Sequence, residues 1–178
     1  MRVDCALLVL CLLCSGFSQS NTDNEYKLLA TTKTSTMERE LNEAADAGYQ
    51  LVGTIGGDVG NGEIITILKK SLDAADKGRY GYKLLATSRT STMQKELQEA
   101  ADAGYEFKGE TARGEVVIIL ELDRQAKNRP KYEYRLLATS KTSTMQKELN
   151  DASSQGFVFL CVIRRGEVMT ILRRKVGG

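Results

Sequence analysis

The chain has 178 residues, 42% of them hydrophobic and 27% charged, which is ample for a packed core and excludes a disordered or fibrous protein. It contains no histidine and no tryptophan, so Ser-His-Asp and Cys-His catalysis and every His-ligated metal site are excluded at the outset. A net charge of +2 gives no composition-level sign of nucleic-acid or membrane binding.

The first twenty residues read as a secretory signal peptide. Arg2 makes a basic start, an apolar run extends from Cys5 to Cys14, and Ser15-Gly16-Phe17-Ser18-Gln19-Ser20 supplies a small, polar end with cleavage expected after Ser20. The apolar run falls well short of the roughly 18 to 20 residues a transmembrane helix needs, and no later stretch approaches that length. The expectation is therefore a secreted or periplasmic protein with no transmembrane segment in the mature chain. Cys5, Cys11 and Cys14 lie in the leader, which leaves Cys161 without an internal partner. Its setting, Phe157-Val-Phe-Leu-Cys-Val-Ile163, fits a half-buried strand thiol.

The rest of the chain repeats itself three times. Tyr26-Lys-Leu-Leu-Ala-Thr31 returns as Tyr82-Lys-Leu-Leu-Ala-Thr87 and as Tyr134-Arg-Leu-Leu-Ala-Thr139. The units span residues 26–70, 82–122 and 134–175, and the polar segments 71–81 and 123–133 read as linkers. Each unit opens with a short apolar strand such as Leu28-Leu29-Ala30-Thr31. Ser35, Ser91 and Ser143 follow, with Glu38, Gln94 and Gln146 three positions later, the spacing of a capping box that predicts a helix start at each serine. Met37, Leu41, Ala44, Ala45 and Gly48 then mark one face of a helix, as do Met93, Leu97, Ala100, Ala101 and Gly104 in the second unit. Gly48, Gly104 and Gly156 are expected to end the helices. A second strand, a hairpin and a β-branched third strand complete each unit. The predicted fold is α+β: three tandem βαββ repeats, each a three-stranded sheet covered by one helix. The first two strands of a unit are expected to run parallel and the third antiparallel to the second. Units of this size are marginal alone, so their open faces or edges should pack together, among units or between chains.

Each unit resembles a small bacterial βαββ domain family of unknown function, whose members open with Tyr-x-[Val/Leu] and close the helix with Gly-[Trp/Tyr]-x-[Leu/Phe]-Val, as in Gly48-Tyr-Gln-Leu-Val52. Lys108 and Leu160 replace the valine in the second and third copies. The resemblance implies the fold and carries no activity.

The repeats are unequally alike. Residues 82–97 and 134–149 match at 14 of 16 positions, whereas 98–122 and 150–174 match at 9 of 25. The retained stretch includes Thr-x-[Lys/Arg]-Thr-Ser-Thr, which packing alone does not require. It leads into a helix N-terminus, where free N–H groups and the helix dipole favour an anion. Two readings follow. In one, Lys33 with Thr34, Ser35 and Thr36, Arg89 with Thr90, Ser91 and Thr92, and Lys141 with Thr142, Ser143 and Thr144 form three related sites for phosphate, sulfate or carboxylate. In the other, serine caps the helix, threonine shapes the turn and the basic side chain is solvated.

No catalytic constellation, metal-ligand spacing or cofactor motif is found. The glycine-rich Gly53-Thr-Ile-Gly-Gly-Asp-Val-Gly-Asn-Gly62 lacks the Gly-Lys-[Ser/Thr] ending of a phosphate loop and reads as a hairpin. Glu63, Glu115 and Glu167 recur at the start of each third strand, where an edge or turn role is expected. The units carry net charges of −1, −2 and +5, and Arg164-Arg165 with Arg173-Arg174-Lys175 concentrate the third unit's charge. That surface suits an acidic partner or is a solvated edge; without interleaved aromatics it does not indicate nucleic acid. The sequence thus predicts an exported, non-enzymatic binding module for anionic ligands or acidic partners. Its alternative is a structural or assembly protein, a homo-oligomer pairing through sheet edges or faces.

Overall fold

A computed structural model describes residues 24–56, 63–113 and 115–177, with only the backbone described for Arg113, Glu115 and Arg165. The expected leader 1–20 and most of the glycine-rich hairpin lie outside the described residues. The first unit comprises β1 (Tyr26–Thr31), α1 (Thr34–Asp46), β2 (Tyr49–Ile55) and β3 (Ile64–Lys70). The second comprises β4 (Tyr80–Thr87), α2 (Thr90–Asp102), β5 (Glu106–Arg113) and β6 (Glu115–Asp123). The third comprises β7 (Lys131–Thr139), α3 (Thr142–Ser154), β8 (Val158–Arg165) and β9 (Glu167–Val176). The fold is α+β, three three-stranded sheets each with one helix, as the repeats predict.

Within each sheet the last strand of the unit lies in the middle, giving the orders β1-β3-β2, β4-β6-β5 and β7-β9-β8. Both outer strands are antiparallel to the central one. The first two strands of a unit therefore run the same way without being neighbours. A register shift falls at the same place in every second strand, between Leu51 and Gly53, Phe107 and Gly109, and Phe159 and Cys161. These bulges bend the strand locally and break its ladder.

The helices begin differently from the expectation. Thr34, Thr90 and Thr142 are the first helical residues, Lys33, Arg89 and Lys141 occupy the N-cap positions in extended conformation, and none of the three ends has a side-chain cap. Ser35, Ser91 and Ser143 lie inside the first turn, so the predicted capping boxes are not formed. The physical reason lies just upstream. The hydroxyls of Thr31, Thr87 and Thr139 accept from the N–H of Lys33, Arg89 and Lys141, at 3.2, 3.3 and 3.2 Å, and this turn brings the chain into the helix two residues early. The other ends follow the sequence: Gly48, Gly104 and Gly156 have φ of 91°, 90° and 82°, the left-handed region that glycine enters without a Cβ penalty.

The first two helices bury their predicted faces. Met37, Leu41, Ala44 and Ala45 lie against Leu29, Leu51, Ile64 and Leu68 of their own sheet, and the same cluster takes in Tyr82, Leu84, Val117 and Ile119 from the next. Met93, Leu97, Ala100 and Ala101 likewise join Leu85, Val116, Ile118 and Leu120 of the second sheet to Tyr134, Cys161, Met169 and Ile171 of the third. Alternate residues of β6 thus point into two different cores, and the second sheet is buried on both faces. The segments expected to be linkers are partly structured: β4 and β7 start within them, and residues 74–76 form a short 3-10 turn. Arg79 ties this region down, pairing with Asp76 and with Asp123, each at 2.8 Å. The Ser71 hydroxyl and Arg79 hold the Asp76 carboxyl below its usual range, and Arg79 does the same for Asp123.

Among the described residues no further unit packs over the third helix. Ala152 is its only fully buried residue among the described ones, and Met145 and Leu149 are half-buried where Met93 and Leu97 are sealed. Leu97→Ala should therefore cost about 2–5 kcal/mol. The equivalent Leu149→Ala should cost less than half of that. Urea unfolding of both variants checks the order.

Candidate functional site: a strand socket used twice and left open at both ends

An outer strand leaves a row of N–H and C=O groups without a ladder partner, which in water invites pairing with another chain. The chain meets this need at β4 and β7 with side chains from the preceding helix. Asn42 Nδ2 donates to the Tyr82 carbonyl at 2.9 Å, and Asn42 Oδ1 accepts from the Tyr82 N–H at 3.0 Å. Glu38 Oε2 accepts from the Leu84 N–H at 2.8 Å. One junction later, Gln94 accepts from the Leu136 N–H at 2.7 Å and donates to the Tyr134 carbonyl at 2.9 Å. Gln98 accepts from the Tyr134 N–H at 3.0 Å and donates to the Tyr132 carbonyl at 3.2 Å. A carboxylate only accepts, so at the first junction Asn42 serves the tyrosine carbonyl that Gln94 serves at the second.

The opening tyrosine of each following unit completes the junction. Tyr82 Oη accepts from the Leu51 N–H at 2.8 Å and donates to Glu121 at 2.7 Å. Tyr134 Oη accepts from the Phe107 N–H at 2.9 Å. Both amides sit at the bulge of the second strand, so the break in the ladder provides the donor that the phenol satisfies. Burial is the main reason that both phenols ionise well above their ordinary range, and Glu121 adds to it at Tyr82. Tyr82 and Tyr134 are 3% and 2% exposed, whereas Tyr26 is 57% exposed. The residue two positions further along the strand follows suit: Leu84 is buried at 8% and Leu28 stands out at 65%.

The socket elements of the last unit are open in the same way. Gln146 and Asn150, at the positions of Gln94 and Gln98, are exposed and bond each other at 3.2 Å. Phe159, at the position of Leu51 and Phe107, is 54% exposed beside exposed Val158 and Val162. Among the described residues each half of the junction is thus present without its complement, the strand at β1 and the helix at α3. Glu38, Gln94 and Gln146 were readable in the sequence only as cap residues; that the same spacing repeats as Glu38 with Asn42, Gln94 with Gln98 and Gln146 with Asn150 was the signal that could have found them.

The sequence-predicted anion residues are placed at three separate helix starts. Thr34 and Ser35 border an open groove of about 540 Å³ shared with Lys83 and with Glu38, Glu96 and Glu99. Arg89 and Thr90 border a small cavity with Met93, Val116, Glu167 and Met169, and Thr90 Oγ1 donates to Glu167 Oε1 at 3.3 Å. The start of α2 therefore already faces a carboxylate of the chain's own. Ser91, Lys141, Thr142, Ser143 and Thr144 are exposed, and Thr36 and Thr92 are half-buried.

Two members of the basic cluster of the third unit are engaged within the chain. Arg174 pairs with Glu133 at 2.6 Å and Arg173 with Glu106 at 3.5 Å, while Arg135 and Arg174 both stack over Phe157. Burial pushes the Cys161 thiol up to about 12, with Glu110 adding to it, so it carries almost no thiolate at neutral pH. Among the described residues no group of three or more His, Cys, Asp or Glu could hold a metal ion, and no helix is long and apolar enough to cross a membrane.

Removing one phenolic oxygen tests the junction. Tyr82→Phe leaves the buried Leu51 N–H without its acceptor and should cost about 1–3 kcal/mol. Tyr26→Phe at the open end should change stability by less than about 0.5 kcal/mol. Thermal and chemical denaturation of the two variants compare them directly. No family model, curated protein or solved structure matches this chain.

Proposed function

We propose that the protein is an exported, non-enzymatic assembly module that pairs through its sheet edges and faces. The observation that carries this reading is the junction itself, made twice inside the chain and left half-made at both ends. An exposed apolar strand edge is a standing invitation to association, and natural sheets usually blunt such edges with charge or cover. Here the covers exist for β4 and β7, and Leu28, Tyr26, Phe159 and Val162 remain exposed. A scaffold with unused copies of its own internal joint has what an assembling protein needs.

Recognition of anions at the helix starts is the second reading. It is favoured by the lack of a side-chain cap at Lys33, Arg89 and Lys141, at helix starts where the dipole favours an anion. The two readings separate cleanly in one experiment. Assembly predicts a mass by sedimentation that rises with protein concentration over the micromolar range and is unchanged when Lys33, Arg89 and Lys141 are all replaced by alanine. Anion recognition predicts a constant mass and a melting temperature that rises in phosphate or sulfate only while those three side chains are present. A constant mass at every concentration overturns the assembly reading.

A further inference from the structure

We infer that the partner is a second copy of this chain, docked head to tail: the open β1 edge and outer face of the first sheet of one copy seat on α3 and the β8 bulge of another. The inference rests on the assembly reading and names the surface it uses. Its ground is continuity with a junction the chain already makes twice.

The donor side matches residue by residue. Tyr26-Lys-Leu-Leu-Ala-Thr31 is identical to Tyr82-Lys-Leu-Leu-Ala-Thr87, the strand that α1 receives. The registers agree: Leu28 pairs with Ile67 and Ala30 with Ile65, as Leu84 pairs with Ile119 and Ala86 with Val117. In the second sheet Leu84, Val117 and Ile119 are sealed under α1, while in the first sheet Leu28 and Ile67 are exposed. By the same register the N–H groups of Tyr26 and Leu28 point away from β3, as those of Tyr82 and Leu84 point away from β6.

The acceptor side matches as well. The segment Thr-Ser-Thr-Met-Gln-Lys-Glu-Leu is the same in α2 and α3, from Thr90 to Leu97 and from Thr142 to Leu149. Gln146 and Asn150 are amides at the positions of Gln94 and Gln98, and among the described residues they bond each other. An amide can both give and take a hydrogen bond, which is what a strand edge demands. The retained identity of the second and third units then has a physical reason: both the strand that is received and the helix that receives lie in that stretch. Val158 replaces Glu106, so the new junction lacks a counterpart of the Arg173 to Glu106 pair and should be weaker than the internal one.

Such an interface is heterologous. Donor and acceptor lie at opposite ends, so each added copy exposes a fresh end, and association runs on to a filament or closes as a ring.

The test uses two end-blocked variants of the full chain. Leu28→Asp puts a charge where the receiving core is apolar, and Phe159→Lys does so on the other side; both residues are exposed in one chain, so folding should be retained. Circular dichroism melting checks that, and Tyr26→Lys and Gln146→Arg serve as second variants for the two ends. Each blocked chain alone should sediment as a monomer at concentrations where the wild type is larger. An equimolar mixture of the two should double the mass and go no further, because one free donor end meets one free acceptor end. If the wild type associates and the blocked chains keep its mass, or if the mixture stays monomeric, the head-to-tail junction is wrong while assembly stands. If the wild type itself is monomeric at all concentrations, both statements fall.

Discussion

The structure depends on how the outer strand of one unit is finished by the helix of the unit before it. A three-stranded sheet with one helix buries too little to hold itself, and its outer strand carries polar groups that water would otherwise satisfy. Glu38 and Asn42, then Gln94 and Gln98, bond those groups from the side, and Tyr82 and Tyr134 lock the strand by reaching the bulge beyond. Each such bond is worth only about 0.5–1.5 kcal/mol net. Their larger effect is on specificity, because a shifted strand would leave several buried groups unpaired at once.

Polar bonding and apolar burial reinforce each other along the row. The helix that caps an edge also buries its apolar face between two sheets, so α1 and α2 are sealed on both sides. The third helix, with the same sequence as α2 over its first eight residues, is half-buried because no described unit packs over it. The same residue types therefore have different environments set by position in the row. That gradient leaves β1 and α3 without the cover that β4, β7 and the first two helices have among the described residues.

Much of this was legible from sequence. The 3.6-residue spacing of Met37, Leu41, Ala44 and Ala45 gave the buried helix face, and Gly48 gave the helix end, because both are local properties of the chain. The order of strands was not, since β3 between β1 and β2 is a long-range choice that local periodicity does not encode. The cap assignment failed for an instructive reason. Ser35 with Glu38 has the spacing of a capping box, yet Thr31 turns the chain earlier and frees Glu38 to reach Leu84, 46 residues away. A polar side chain at that spacing serves a local or a distant backbone equally well, and only the neighbouring unit decides. Tyr26, Tyr82 and Tyr134 look alike in the sequence for the same reason, although two are buried and one is not.

Residue-resolved amide hydrogen exchange at two protein concentrations tests the central claim most directly. The N–H groups of Tyr82, Leu84, Tyr134 and Leu136, bonded only through helix side chains, should be protected in the dilute protein. Those of Tyr26 and Leu28 should exchange freely when dilute and become protected when the protein is concentrated. Fast exchange at Leu84 and Leu136 would contradict the junction itself. Exchange at Leu28 that ignores concentration would contradict its use between copies.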